Sequence, residues 1–173
     1  MKQLCLLFAF ALVVASVAYA EDIVITIHQV SAEGVGKEVG TITATDTKYG
    51  LLLKPQLTGL SAGLHGFHVH ERPSCDAAKK DDKMTAAHAA GAHLETMKTE
   101  KHKGPYGDGH PGDLPALFVA SDGTATLPVL APRLKTTDLK GRSLMIHAGG
   151  DNYSDQPDPL GGGGARIACG VVK

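Results

Sequence analysis

The sequence predicts an all-β domain of eight short strands forming a sandwich or flattened barrel. Three observations point there: runs of β-branched and aliphatic residues that alternate with period two, Gly, Pro and Asp turn signals between most of them, and little helical periodicity. Ile23-Val24-Ile25-Thr26-Ile27-His28-Gln29-Val30 alternates, and Val39-Gly40-Thr41-Ile42-Thr43-Ala44-Thr45 is β-branched and half polar. Each reads as a strand with one buried face. Further strands are expected at residues 49–53, 64–70, 116–120, 124–130, 143–147 and 166–171. Two stretches interrupt this rhythm. Residues 71–115 hold no convincing strand, and residues 148–165 are rich in Gly, Asp and Pro. Long irregular segments inside a compact domain are usually functional. Within the first, Ala86-Ala87-His88-Ala89-Ala90 could form a short helix.

The start of the chain stands apart. Lys2, an apolar stretch from Leu4 to Val17 and the small-x-small sequence Ala18-Tyr19-Ala20 have the layout of a secretory leader, with cleavage expected after Ala20. The stretch falls short of the roughly 20 residues that span a bilayer, and acidic Glu21-Asp22 follows, so an uncleaved anchor is the weaker reading. Residues 1–20 are therefore expected to be a signal peptide and residues 21–173 a single domain without membrane attachment. Loss of Lys2 leaves 16 basic against 18 acidic residues, a charge of −2. With no basic run, nucleic acid is excluded as a partner. Cys5 leaves with the leader, and two remaining cysteines, Cys75 and Cys169, in an exported chain suggest one disulfide.

The chemistry lies in the histidines. His68 and His70 stand at i and i+2 in an expected strand, where alternate side chains share a face about 6.5–7 Å apart. His93, His102 and His110 fall in the first long loop, Asp113 follows three residues after His110, and His147 ends the apolar run Leu144-Met145-Ile146. A single histidine in a sandwich is usually a hydrogen-bonded core or surface residue; six at strand and loop edges point to metal. Imidazole suits copper and zinc alike. Three histidines and a carboxylate from a loop match a closed tetrahedral zinc site, whereas four histidines from rigid strands suit the tetragonal preference of Cu(II). Seven ligand residues cannot fill two four-coordinate sites, so one histidine would serve both ions as an imidazolate.

The segments Gly63-Leu64-His65-Gly66-Phe67-His68-Val69-His70-Glu71, Gly91-Ala92-His93, Glu100-Lys101-His102-Lys103-Gly104-Pro105, Gly109-His110-Pro111-Gly112-Asp113-Leu114-Pro115, Leu144-Met145-Ile146-His147-Ala148-Gly149-Gly150-Asp151-Asn152 and Gly161-Gly162-Gly163-Gly164-Ala165-Arg166-Ile167-Ala168-Cys169-Gly170 closely resemble the copper/zinc superoxide dismutases of bacterial periplasms. The resemblance extends over essentially all of residues 21–173. It implies an eight-stranded Greek-key β-sandwich or flattened barrel with two long functional loops. It also implies a periplasmic enzyme that converts superoxide to dioxygen and hydrogen peroxide, with one copper and one zinc per subunit and copper cycling between Cu(II) and Cu(I). Carried over by motif, His68, His70, His93 and His147 are the expected copper ligands, and His93, His102, His110 and Asp113 the expected zinc ligands. Asp151 corresponds to the aspartate that links one histidine of each set, Cys75 and Cys169 to the disulfide pair. Arg166 and the bridging His93 are the expected catalytic residues, one holding the anion and one exchanging a proton. Monomers and homodimers both occur in the family, so a homodimer is compatible with the sequence.

Ala92, and Glu95-Thr96 where the family often has Asp-Pro, bear on loop conformation rather than ligation. His65 resembles a structural histidine, while His28 and His88 match no ligand position and read as incidental surface residues. Lys79, Lys80, Lys83, Lys101 and Lys103 are candidates for steering the anion, although Asp81 and Asp82 offset them. A copper or zinc buffering protein on the same fold is the principal alternative; it could dispense with Arg166.

Overall fold

Alternating, β-branched sequence builds a meander from β1 (Ile23–Ser31), β2 (Gly34–Thr47) and β3 (Gly50–Leu57) in the computed structural model, which describes residues 21–96 and 98–173. The expected signal peptide lies outside the described residues. Register places Ile25 opposite Ile42 and Ala44 opposite Leu53, so the inward aliphatic side chains meet across the sheet. Beyond the meander come β4 (Gly63–His65), β5 (Phe67–His70), β6 (Ala78–Lys80), β7 (Lys83–Thr85), β8 (Leu117–Val119) and β9 (Val129–Ala131). A single-turn helix α1 (Thr136–Leu139), β10 (Arg142–His147) and β11 (Arg166–Val172) complete the elements that position the site.

The described strands form one seven-stranded antiparallel sheet, in the order β5-β10-β11-β1-β2-β3-β9, with the pairs β4-β8 and β6-β7 beside it. The last strand lies against the first, the return that gives a Greek key its order. Ile25, Ile27, Ile42, Leu51, Leu53 and Leu57 meet Phe67, Val69, Leu117, Leu144 and Ile146 in the core, none more than 1% exposed. Burying one such side chain contributes roughly 1.5–3 kcal/mol.

The all-β class is as expected, and the strand boundaries differ in three places. The strand expected at residues 64–70 breaks at Gly66, whose N–H donates to Gly149 and whose carbonyl accepts from His147, so its backbone is diverted to the chain beyond β10. The stretch expected to hold no strand contains the β6-β7 hairpin. Its strands carry no apolar alternation, and Asp81 and Asp82 turn it with φ of 49° and 62°. The strand expected at residues 124–130 shrinks to β9, with Ala125 bridged to Leu57. The Ala-rich segment forms one 3-10 turn, His88–Ala90. A disulfide joins Cys75 to Cys169 across a separation of 94 residues, tying the first long loop to β11 beside Ala87, Ala90 and Met145.

Candidate metal centre

Alternation along β5 sends Phe67 and Val69 into the core and leaves His68 and His70 on the opposite face. Both histidines are nevertheless buried, because the loop after β5 folds back along its free edge. Leu94 N–H donates to Val69 O (2.7 Å), Val69 N–H to Gly112 O (2.8 Å), Leu114 N–H to Phe67 O (3.2 Å) and Glu71 N–H to Ala92 O (3.1 Å). The loop thus acts as a makeshift neighbouring strand, bridging His70 to His93 and His68 to Asp113. Gly112 is required for that approach, since a Cβ there would fall 2.5 Å from Val69 O. On the other edge of β5, Met145 of β10 lies opposite His68, and a register irregularity after Ile146 ends β10 with His147 beside the same face.

These elements bring six of the seven expected ligand residues into two groups of mutually close ligand atoms, and His110 stands at their edge against Asp113. One ring nitrogen from each of His68, His70, His93 and His147 lies within 4.8 Å of every other. Asp113 Oδ1 lies 3.1 Å from His93 Nδ1, 3.0 Å from His102 Nδ1 and 3.6 Å from His110 Nδ1. An ion held tetrahedrally at 2.0–2.1 Å separates its ligand atoms by about 3.3 Å, so this spacing fits zinc. His68 also comes close to His93, His102 and Asp113. Its Nε2, however, is taken by Asp151, which leaves Nδ1 to face the other cluster.

The outer nitrogens decide which inner ones are available. Asp151 accepts from His68 Nε2 through Oδ2 (2.8 Å) and from His102 Nε2 through Oδ1 (2.7 Å). His70 Nδ1 donates to Gly91 O (3.0 Å) and His147 Nδ1 to Gly164 O (3.1 Å). On His68, His70 and His147 the opposite nitrogen is buried without a hydrogen-bond partner, as is His110 Nδ1, while His102 Nδ1 faces Asp113 Oδ1. An unsatisfied buried nitrogen costs about 1–3 kcal/mol, and coordination would satisfy it. The donor set therefore fits two cations. Second oxygens are also fixed: Asp113 Oδ2 accepts Lys103 N–H (3.2 Å), and Asp155 accepts His102 N–H (2.9 Å).

Burial sets the charge states. It pushes His70 and His93 down, His68 down to about 3 and His147 down to about 4, aided by neighbouring imidazoles, so these rings are neutral and ready to bind metal. Burial also opposes charge on His102, but the carboxylates of Asp113 and Asp151 at its two nitrogens prevail and raise it to about 9. Both carboxyls remain well below their ordinary range because hydrogen bonds from the histidines overcome desolvation.

Arg166, opposite His147 in the β10-β11 register, donates from Nη1 to Ala87 O and from Nη2 to Gly91 O, both at 2.7 Å. Gly91 O therefore receives both Arg166 and His70. A cavity of about 300 Å³ opens here, lined by His93, His147, Arg166, Lys80, His88 and Leu160. His88 thus belongs to the rim, although its spacing matches no ligand. Among the lysines, Lys80 reaches this rim, whereas Lys103 is paired with Asp108 at 2.5 Å. His65 sits between the carbonyls of His147 (2.7 Å) and Ser61 (2.8 Å), a structural position. Glu95, Asp155 and Arg133 support the loop and were not legible as such. Glu95 Oε2 lies 3.8 Å from His110 Nε2 and accepts from Thr99 and Glu100.

The profile of the family described as copper/zinc superoxide dismutase matches residues 38–172. The chain is 56% identical over 155 residues to a protein of Haemophilus ducreyi named Superoxide dismutase [Cu-Zn], covering 88% of this chain and 78% of that one. It is 54% identical over 164 residues to the protein of that name from Escherichia coli K12, covering 94% and 95%. Among solved structures, the Cu/Zn superoxide dismutase from Brucella abortus superposes with a TM-score of 0.87 at 50% identity, covering 88% of this chain and all of that one.

Proposed function

The chain belongs to the copper/zinc superoxide dismutase family, and we propose that its seven clustered side chains hold one copper and one zinc around a shared His93. The activity is superoxide dismutation: two superoxide anions and two protons become dioxygen and hydrogen peroxide. In this reading His68, His70, His93 and His147 would hold copper, and His93, His102, His110 and Asp113 would hold zinc. One observation carries the assignment: buried rings are tied at one nitrogen by Asp151, Gly91 or Gly164 and bare at the nitrogen that faces the cluster.

Bound copper supplies one-electron exchange between Cu(II) and Cu(I), and zinc in a closed site supplies a fixed positive charge. The protein's own groups bind and protonate. Arg166 uses two of its five N–H donors on Ala87 and Gly91, which aims the planar fork into the cavity beside His147. Burial lowers its pKa somewhat, but a guanidinium stays charged at working pH and attracts superoxide. His93 is anchored at Nδ1 beside Asp113, so its freedom to take or give a proton is at Nε2. Nε2 is therefore the atom of this ring from which a proton would pass to the departing peroxide. The second proton enters from solvent through the cavity. A buffering protein would have no use for a guanidinium tied in this pose.

The leader-like residues 1–20 and the disulfide fit an exported, periplasmic protein. The deciding experiment measures superoxide consumption beside metal content in wild type, His147→Ala and Arg166→Ala. The His147 variant should lose activity and copper while retaining zinc, and the Arg166 variant should keep both metals at reduced rate. Full metal loading of the wild type without activity above free copper refutes the proposed site.

A further inference from the structure

Arg133 touches none of the seven clustered residues through their side chains. Its guanidinium is spent on one stretch of backbone: Nε donates to Pro105 O (3.1 Å), Nη1 to Gly109 O (2.9 Å), and Nη2 to Gly104 O (3.1 Å) and His110 O (2.5 Å). The four carbonyls bracket the irregular chain between His102 and His110, and the last belongs to His110 itself. Asp113 N–H donates to that same carbonyl (3.2 Å), so Arg133 and the Asp113 backbone converge one peptide from the His110 ring.

The segment needs such a clamp. Residues 98–113 form no helix or strand, and carbonyls turned inward without donors each cost about 1–3 kcal/mol. A planar fork can satisfy several carbonyls from one point, which the ammonium of lysine does with neither the same directions nor the same number of donors. Arg133 is itself well rooted. It follows β9, and its neighbours Ala131 and Leu134 are buried in the core, 2% and 3% exposed. The clamp thus links the loop to the sheet.

We propose that Arg133 is a positioning residue for the zinc half of the centre, closing residues 104–110 around its guanidinium so that His110 Nδ1 stays against Asp113 Oδ1. The inference rests on the zinc assignment above. It carries an asymmetry that general stabilisation of the fold does not. His68, His70 and His147 sit on or at the ends of β5 and β10, which Arg133 does not hold, so its loss should shorten zinc retention and leave copper retention unchanged.

The test uses mature protein carrying both metals, as wild type, Arg133→Met, Arg133→Lys and His110→Ala. Release of zinc and of copper to excess chelator is timed in parallel, and Co(II) is placed in the zinc position as a spectroscopic probe of tetrahedral geometry. Arg133→Met should release zinc about 10–100-fold faster, the range for losing an outer-shell support, with weakened Co(II) bands and unaltered copper release. Arg133→Lys should fall between it and wild type, and it carries the comparison if Arg133→Met does not fold. Folded variants that release zinc at the wild-type rate, while His110→Ala loses it, overturn the role of Arg133. So does equal acceleration of copper and zinc loss. Retention of zinc by His110→Ala at the wild-type rate would instead overturn the ligand assignment beneath it.

Discussion

Replacing Asp151 with asparagine should weaken both metals at once, for a reason that lies in proton placement. The carboxylate accepts from His68 Nε2 at 2.8 Å and from His102 Nε2 at 2.7 Å, and Oδ1 also accepts Tyr153 N–H at 2.8 Å. Both rings must carry their proton on Nε2 to make these bonds, which leaves both Nδ1 lone pairs for metal. Asparagine has one acceptor oxygen and one NH2 group. In either orientation one ring meets a donor instead of an acceptor, and it must turn away or move its proton to Nδ1, where a metal cannot bind. The other ring loses the full negative charge it faced. A hydrogen bond to a charged group contributes about 1.5–3 kcal/mol, and at about 1.4 kcal/mol per factor of ten that is roughly 10- to 150-fold in affinity. Affinity losses of about 10–100-fold for outer-shell changes agree with it. The assay is competition of metal-free wild type and Asp151→Asn against chelators, with copper and zinc titrated separately. An unchanged affinity at either site would refute the argument that one carboxylate sets the protonation of both.

Three further outcomes follow from other parts of the structure. Reducing Cys75–Cys169, or making Cys75→Ser, should lower the unfolding free energy of the metal-free protein by about 4–5 kcal/mol in the chain-entropy limit, read from urea midpoints. Gly161→Ala should also destabilise the centre. Gly161 has φ of +76°, and an added Cβ would fall 2.1 Å from Asp151 Oδ1 and 2.7 Å from His102 Nε2; the expected cost is on the order of 1–3 kcal/mol, with faster zinc loss in a chelator assay. The metal-free protein should be most stable near the ordinary histidine pKa of 6.5. Below it the unfolded chain takes up protons that buried His68 and His147 refuse until about pH 3 and 4, so stability falls as pH falls from 6.5. Above it the contribution of His102, whose folded pKa is about 9, is lost as pH rises from 6.5 through 9. Urea unfolding across pH 4–10 reads both limbs, and a flat profile contradicts these charge states.

The parts of the fold legible in the sequence were those with an apolar signature. Period-two alternation marks β1 and β2, and the two histidines of β5 declare themselves because Val69 between them and Phe67 before them must be core. The β6-β7 hairpin lacks such a signature: Ala78-Lys79-Lys80 and Lys83-Met84-Thr85 bury little, and the pairing rests on a turn of two aspartates. Gly66 was read as one residue of a continuous strand, because what splits β4 from β5 is a contact with Gly149 and His147, about eighty residues away in sequence. Arg133 was illegible for a related reason. Its partners are backbone carbonyls, which every residue has, so no spacing of residue types can announce them. His88 shows the reverse case, a residue without a ligand spacing that tertiary folding places on the rim of the cavity.

The two halves of the centre are built to different standards of rigidity. The histidines at 68 and 70 are set by the register of β5 with β10, and His147 by its pairing with Arg166 of β11 and its N–H bond to Gly66 O. Those at 102 and 110 are set one bond at a time, by Asp155 and Asp151 on the first and by Glu95 and the Arg133 clamp on the chain bearing the second. His93 lies between, since its segment is zipped to β5 by Leu94 N–H to Val69 O and Glu71 N–H to Ala92 O. A shared ligand on that segment explains why the loop must be anchored so often. If residues 98–113 drifted, Asp113 would leave His93 Nδ1, but the zipped segment would still hold the ring against β5 and the histidines at 68 and 70. The clamps therefore serve the zinc side in particular, and the zipper on β5 is what lets one imidazole face both halves.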